Sequence, residues 1–293
     1  MILLCRPFAV ERVWGSLRSQ AGAAIGEIWW LYDGQGHSTT LVDPASGRDL
    51  GSVSSAAGNG LLPRPGCPLT VKTLHTQSDL SLQVHPGAFG GALCKAETWI
   101  FLDVRGGSRV LAGLHEGTTL ESLKESLSGG NPASSLRTWD VRPGSFMHLP
   151  PGTVHSLGGG LEVLEIQQSC DVTYRLSDWG RLGADGLPRR LDVDEGLKCV
   201  DVGGGRPLYS ESGPPPGLES MSGYRIEKQE ACSVDLPGGG LFFSAEGGVT
   251  VCGEFLESPC CLVASGEGGS LRAEGFGYAA ASGGERWLAR SGR

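Results

Sequence analysis

Short apolar segments separated by turn residues run the length of the chain, and their period is two rather than 3.6. Residues 69–76 and 80–85 read as extended segments with alternating apolar positions. A third follows at 98–104, closed by Arg105-Gly106-Gly107. Further strands are predicted at 137–142, 145–149 and 161–168, punctuated by Pro143-Gly144, Pro150-Pro151-Gly152 and Gly158-Gly159-Gly160. The clearest helical pattern covers 119–128, where Thr118 stands three residues before Glu121 as a capping box and Gly129-Gly130 ends the helix. One short helix inside a run of turn-bounded strands predicts a mostly β fold, an antiparallel barrel or jelly roll with a short helical insertion.

The run Ser212-Gly213-Pro214-Pro215-Pro216-Gly217 reads as a stiff linker. More glycine-bounded apolar segments follow it, at 224–227, 241–245, 249–252 and 260–264. The expected organisation is a catalytic domain over 1–211, a Pro-rich linker over 212–217 and a smaller C-terminal β-lobe over 218–293. The six histidines are His37, His75, His85, His115, His148 and His155, so none lies in that lobe. A histidine-based metal site therefore belongs to the first domain.

Composition narrows the function classes. Glycine supplies 48 of the 293 residues, more than twice its usual share, and without a G-X-Y period. Each glycine inside a helix costs about 1 kcal/mol relative to alanine, so a helical bundle is excluded. The net charge of −8 comes with no basic run, which argues against nucleic acid or a membrane surface as a partner. No stretch approaches 18 apolar residues, and MILLC is too short for a signal-peptide core before Arg6. Nine cysteines without a C-x-x-C pair read as reduced thiols in a cytoplasmic protein.

Three segments carry candidate chemistry. In Leu80-Ser81-Leu82-Gln83-Val84-His85-Pro86, strand alternation puts Gln83 and His85 on one face and Leu82 and Val84 on the other. In Lys95-Ala96-Glu97-Thr98-Trp99, the odd-numbered residues share a face. The segment from Gly144 to His155 is a strand followed by a tight Pro-Gly turn that delivers His155. Brought together, Gln83, His85, Glu97 and His155 offer two imidazoles, a carboxylate and an amide. Two histidines and a glutamate suit catalytic zinc, and a similar set serves iron or manganese, so spacing leaves the metal open. His37, His75, His115 and His148 are read as ordinary structural or surface residues. Asp171, Thr173 and Arg175 alternate onto one face as a polar wall.

The pattern Gly144-x5-Pro150-x-Gly152-x2-His155 resembles the second metal motif of the cupin superfamily, with Gln83-x-His85 in place of the usual H-x-H of the first. More specifically, the chain resembles the type I mannose-6-phosphate isomerases (phosphomannose isomerases) in their short bacterial form. The matching segments are Phe8 to Gly15, Ile25-Gly26-Glu27, Pro68 to Lys72, Asp79 to Pro86, Lys95 to Trp99, Pro150 to His155, and EIQQSCDVTYRLSDWGR from Glu165 to Arg181. This resemblance implies a cupin-type jelly roll, zinc on His85, Glu97 and His155, Gln83 as a fourth ligand, and a catalytic role for Arg175. It also implies interconversion of mannose 6-phosphate and fructose 6-phosphate through an enediol, with a small sugar phosphate as the partner. Lys95 is a second catalytic candidate. The general base stays open among a water on the zinc, Lys95 and Glu97, and the phosphate ligands among Lys72, Lys95 and Arg181. The chain departs from the family where Gly87-Ala88 replace two acidic residues and where Ile28-Trp29-Trp30-Leu31 is apolar. Competing readings are another metal-dependent cupin enzyme and a non-catalytic sugar-phosphate-binding cupin.

Overall fold

The computed structural model describes the chain except residues 35, 59–68, 88–93, 184, 204–205, 215–223, 266, 283–287 and 291–293. Most of the altered segment after Gly87, and the Pro215-Pro216-Gly217 end of the expected linker, lie outside the described residues. The chain divides into two compact units. One comprises Ala9–Ile28 and Thr73–Ser212; the other comprises Met1–Phe8, Trp29–Lys72 and Gly213–Arg293.

The unit formed by Ala9–Ile28 and Thr73–Ser212 carries the candidate chemistry. Its strands are β1 (Leu82–Val84), β2 (Glu97–Val104), β3 (Arg109–Leu114), β4 (Leu136–Asp140), β5 (Phe146–Leu149), β6 (His155–Leu157), β7 (Leu161–Gln168), β8 (Tyr174–Ser177) and β9 (Leu208–Ser210). One sheet has the order β4-β3-β6-β1-β8, and the other contains β9-β5-β2-β7. All the pairings registered among these strands are antiparallel.

Alternation decides what each sheet buries. Trp99, Phe101, Met147, Leu149 and Val163 of one sheet join Val110, Ala112 and Leu157 of the other in a single buried cluster. The opposite face of the β1-containing sheet buries Leu82, Val84, Leu136 and Leu176 together with Leu123 of the helix Leu120–Ser128 and with Val200. Leu176 and Leu82 thus face outward, which turns their neighbours Arg175 and Gln83 toward the space between the sheets.

The helix begins one residue later than the capping pattern suggested. Thr119, in extended conformation, is the N-cap: its side chain accepts from the Ser122 backbone N–H at 3.2 Å, while the Ser122 hydroxyl accepts from the Thr119 N–H at 3.0 Å. Thr118 and Glu121 are one position out of phase with this box. Asp171 and Thr173 likewise precede the strand, which starts at Tyr174, so strand alternation does not carry the expected polar wall back to them.

The second unit corrects the expected lobe boundary. Ile2–Arg6 pairs antiparallel with Cys260–Ala264, in register Ile2↔Ala264 to Cys5↔Cys261, and on its other side with Thr40–Val42. The lobe expected from 218–293 alone is therefore completed by N-terminal strands. Ile2 enters the same buried cluster as Val234, Phe242, Val249 and Leu262. The eight described cysteines are all free, five of them buried.

Candidate metal centre

The centre is assembled from three strand ends. Gln83 lies on β1, Glu97 opens β2 and His155 opens β6, while His85 directly follows β1. Gln83 is the register partner of His155 on one side and of Arg175 on the other. Directly opposed residues of antiparallel strands share a face, about 4.5–5.5 Å apart, so these three side chains rise from one side of the sheet.

The Pro150-Pro151-Gly152 turn sets the position of His155. Gly152 has φ of 81°, and a Cβ there would stand 2.8 Å from the Cys199 carbonyl oxygen. Only glycine meets both conditions. The Thr153 hydroxyl then donates to the Pro150 carbonyl at 2.7 Å, which tightens the turn ahead of His155.

Candidate ligand atoms of His85, Glu97 and His155 all lie within 4.8 Å of one another, and the three residues are at most 2% exposed. His85 Nε2 is 2.9 Å from Glu97 Oε1, and His155 Nε2 is 3.5 Å from Glu97 Oε2. Each imidazole is anchored through its other nitrogen. His85 Nδ1 donates to the Val172 carbonyl at 3.1 Å, and His155 Nδ1 to the Thr153 carbonyl at 2.9 Å. Those bonds place the ring protons on Nδ1 and aim both Nε2 lone pairs at the centre, as a metal requires.

The charge states agree. Burial drives the His85 imidazole down to about 4 and lowers that of His155. Burial pushes the Glu97 carboxyl up, but His85, Lys95 and His155 outweigh it and hold the group well below its usual range. At neutral pH the cluster is two neutral imidazoles and a carboxylate. His85 Nε2 and Glu97 Oε2 are buried without a hydrogen-bond partner, an arrangement that a cation would relieve. The donor set and these orphaned atoms fit a divalent metal.

Gln83 Nε2 donates to His155 Nε2 at 3.2 Å, so the amide already stands at the cluster. Lys95 Nζ is 3.0 Å from Glu97 Oε1 and is 5% exposed. Arg175 is half-buried, and its guanidinium donates to the Arg190 carbonyl at 2.8 Å.

Of the other phosphate candidates, Lys72 is buried on the strand Leu69–His75, with its ammonium 5.5 Å from the centre of the Trp29 ring. Arg181 is tied to Asp178 at 2.6 Å, beyond the end of β8. Glu165 has no role of its own in the sequence reading, while His148, read there as structural or surface, is structural. Glu165 continues the inward face of Leu161 and Val163 and accepts from Trp99 Nε1 at 3.0 Å, while the Trp99 ring meets His155 edge-on at 5.3 Å. The alternation of β7 was the available signal. His148 is 4% exposed, with Nδ1 3.0 Å from the Thr98 hydroxyl.

No protein-family model matches the chain. Mannose-6-phosphate isomerase ManA of Bacillus subtilis (strain 168) is 33% identical over 215 residues, which is 68% of this chain and 68% of that protein. The chain belongs to the mannose-6-phosphate isomerase family. It is an isomerase by that membership. The mannose-6-phosphate isomerase of Streptococcus mutans is 34% identical over a shorter stretch of 141 residues, 46% of this chain and 44% of that one. The crystal structure of the mannose 6-phosphate isomerase from Bacillus subtilis superposes with a TM-score of 0.77 at 20% identity, covering 96% of this chain and 99% of the other. That likeness extends the shared mostly β fold over both units.

Proposed function

We propose that this isomerase is zinc-dependent and interconverts mannose 6-phosphate and fructose 6-phosphate through an enediol. The carrying observation is the buried His85, Glu97 and His155 cluster, with both Nδ1 atoms spent on backbone carbonyls and two ligand atoms left without hydrogen bonds. Gln83 is the proposed fourth ligand, since half a turn of its amide brings the oxygen to where the nitrogen now meets His155. Zinc in this cluster supplies a Lewis acid for the carbonyl and hydroxyl oxygens of the open-chain sugar.

The chain's own groups do the rest. His85 and His155 are locked in one tautomer, so no proton needs to move for them to bind a metal. Glu97 is held against Lys95, whose amino group stands 3.0 Å from the ligand carboxylate. Lys95, beside the cluster, is the proposed group for moving the proton between C1 and C2, a role that requires its neutral amine, with the ammonium proton released first. Arg175 shares the inward face with Gln83 and brings a fixed positive charge for the developing enediolate. The buried walls around Trp99 exclude water from one side of the cluster.

A cytoplasmic location accompanies this reading, and no helix among the described residues is long and apolar enough to cross a membrane. The test is a coupled mannose 6-phosphate to fructose 6-phosphate assay on purified protein, with and without chelator, beside elemental analysis. Turnover that tracks zinc content is expected. A fully metallated sample that leaves mannose 6-phosphate unconverted would sink the proposal, and iron with oxygen consumption would move it to an oxygenase.

A further inference from the structure

A polar groove lies at the other end of the strands that carry the metal cluster. Leu80, just before β1, donates its N–H to the Leu157 carbonyl at the end of β6, and the Leu80 carbonyl accepts from Trp179 Nε1 at 2.6 Å. Two adjoining cavities of about 570 and 410 Å³ share Trp179, Asp79 and Gly159 in their walls. Volumes of this size lie within the range of small-molecule sites.

Trp179 is the unusual element. It has φ of 57°, Gly180 follows at 72°, and the Arg181 N–H closes the turn on the Asp178 carbonyl at 2.9 Å. Two consecutive positive φ values with that bond make a type I′ turn, whose central positions favour asparagine, aspartate and glycine. Tryptophan there is disfavoured by the backbone. The residue is 36% exposed, so part of the ring faces solvent. Its indole N–H is tethered, so the ring is held in one orientation over the groove.

The charge is equally selective. Arg105 and Arg109 line the cavities beside Asp79, in a chain whose net charge is −8, while Arg181 in the same wall is engaged by Asp178 and by the Asp79 carbonyl. Asp178, behind the turn, is matched by Arg189 as well as by Arg181. An oriented aromatic face takes the C–H face of a sugar ring, guanidinium groups take a phosphate, and the wall at Gly106 and Gly107 is open, with no atom within 4 Å of where a side chain would begin. We propose that the groove around Trp179 is a second, non-catalytic binding site for a phosphorylated monosaccharide.

The proposal stands on the groove and not on the isomerase reading, and one set of samples separates the two. Metal-loaded parent protein, Trp179→Ala and Arg105→Glu are taken through equilibrium dialysis against fructose 6-phosphate, with turnover measured in parallel. Both variants are expected to bind one equivalent fewer than the parent and to keep its turnover. Arg105 is exposed, so Arg105→Glu leaves the fold intact even where Trp179→Ala disturbs the turn. Full parental stoichiometry in Arg105→Glu overturns the proposal. Competition arms with glucose and with inorganic phosphate identify the ligand class: displacement of the lost equivalent by phosphate alone, as readily as by fructose 6-phosphate, overturns the saccharide assignment. Absence of turnover in the parent counts against the isomerase reading only.

Discussion

His148 gives the most quantitative prediction. Its ring is 4% exposed, its Nδ1 meets the Thr98 hydroxyl at 3.0 Å, and its Nε2 is buried with no hydrogen-bond partner. Burial alone brings its pKa from 6.5 to about 4. In the unfolded chain the imidazole titrates near 6.5. Between those values the unfolded state binds a proton that the native state refuses. Stability is therefore fully present above pH 6.5 and is lost as the pH falls toward 4, below which both states are protonated. A shift of that size corresponds to about 3 kcal/mol. The perturbation is His148→Asn, which keeps a polar atom near Thr98 but does not titrate. Urea unfolding of parent and variant is followed at steps from about pH 7 down to about pH 4, the interval over which the two titrations differ. The advantage of the parent over the variant should shrink by about 3 kcal/mol across that interval. His85 and His155 titrate in both proteins, so their contributions cancel in the difference. Parallel curves, or an assigned His148 resonance that titrates near 6.5, would refute the burial argument.

Other expectations concern the cluster and the fold. Glu97→Gln should leave the chain folded by circular dichroism yet lower bound metal well below one equivalent, and retained stoichiometry would remove Glu97 as a ligand. Arg175→Ala should keep its metal and lose about 10²–10³ in kcat, the usual effect of deleting one electrostatic contact to a developing oxyanion. Unchanged turnover would refute that role. Thr119→Ala should cost about 1 kcal/mol in thermal or urea unfolding and Thr118→Ala almost nothing, because only Thr119 caps the helix. Phe101→Ala should cost about 3–5 kcal/mol, since the ring is fully buried between the sheets.

What could be read from the chain alone was what has a short period. Alternation of two put Gln83 with His85 and Lys95 with Glu97 and Trp99, and the Pro-Gly turn before His155 announced where that imidazole would emerge. These relations hold over a few residues of a strand and the chain just beyond its end, or within one turn, where backbone geometry leaves few choices. The mostly β class followed from the same turn-bounded segments. Errors at this level were of phase, as at Thr118 and Thr119, because neighbouring hydroxyls offer the same chemistry and packing chooses between them.

Tertiary structure decided everything that depends on which strand lies beside which. Pairing of Ile2–Arg6 with Cys260–Ala264 joins residues some 260 positions apart, and no local pattern specifies such a partner. Register did the same for function. It put Gln83 between His155 and Arg175, tied the His85 ring to the Val172 carbonyl, and set Thr98 against His148. It also carried Arg181 away from the cluster, to the groove that Trp179 overhangs. Residue types and their alternation thus determined which side chains could ligate a metal. Only the long-range hydrogen-bond ladder, which fixes neighbours across strands, decided which of them meet.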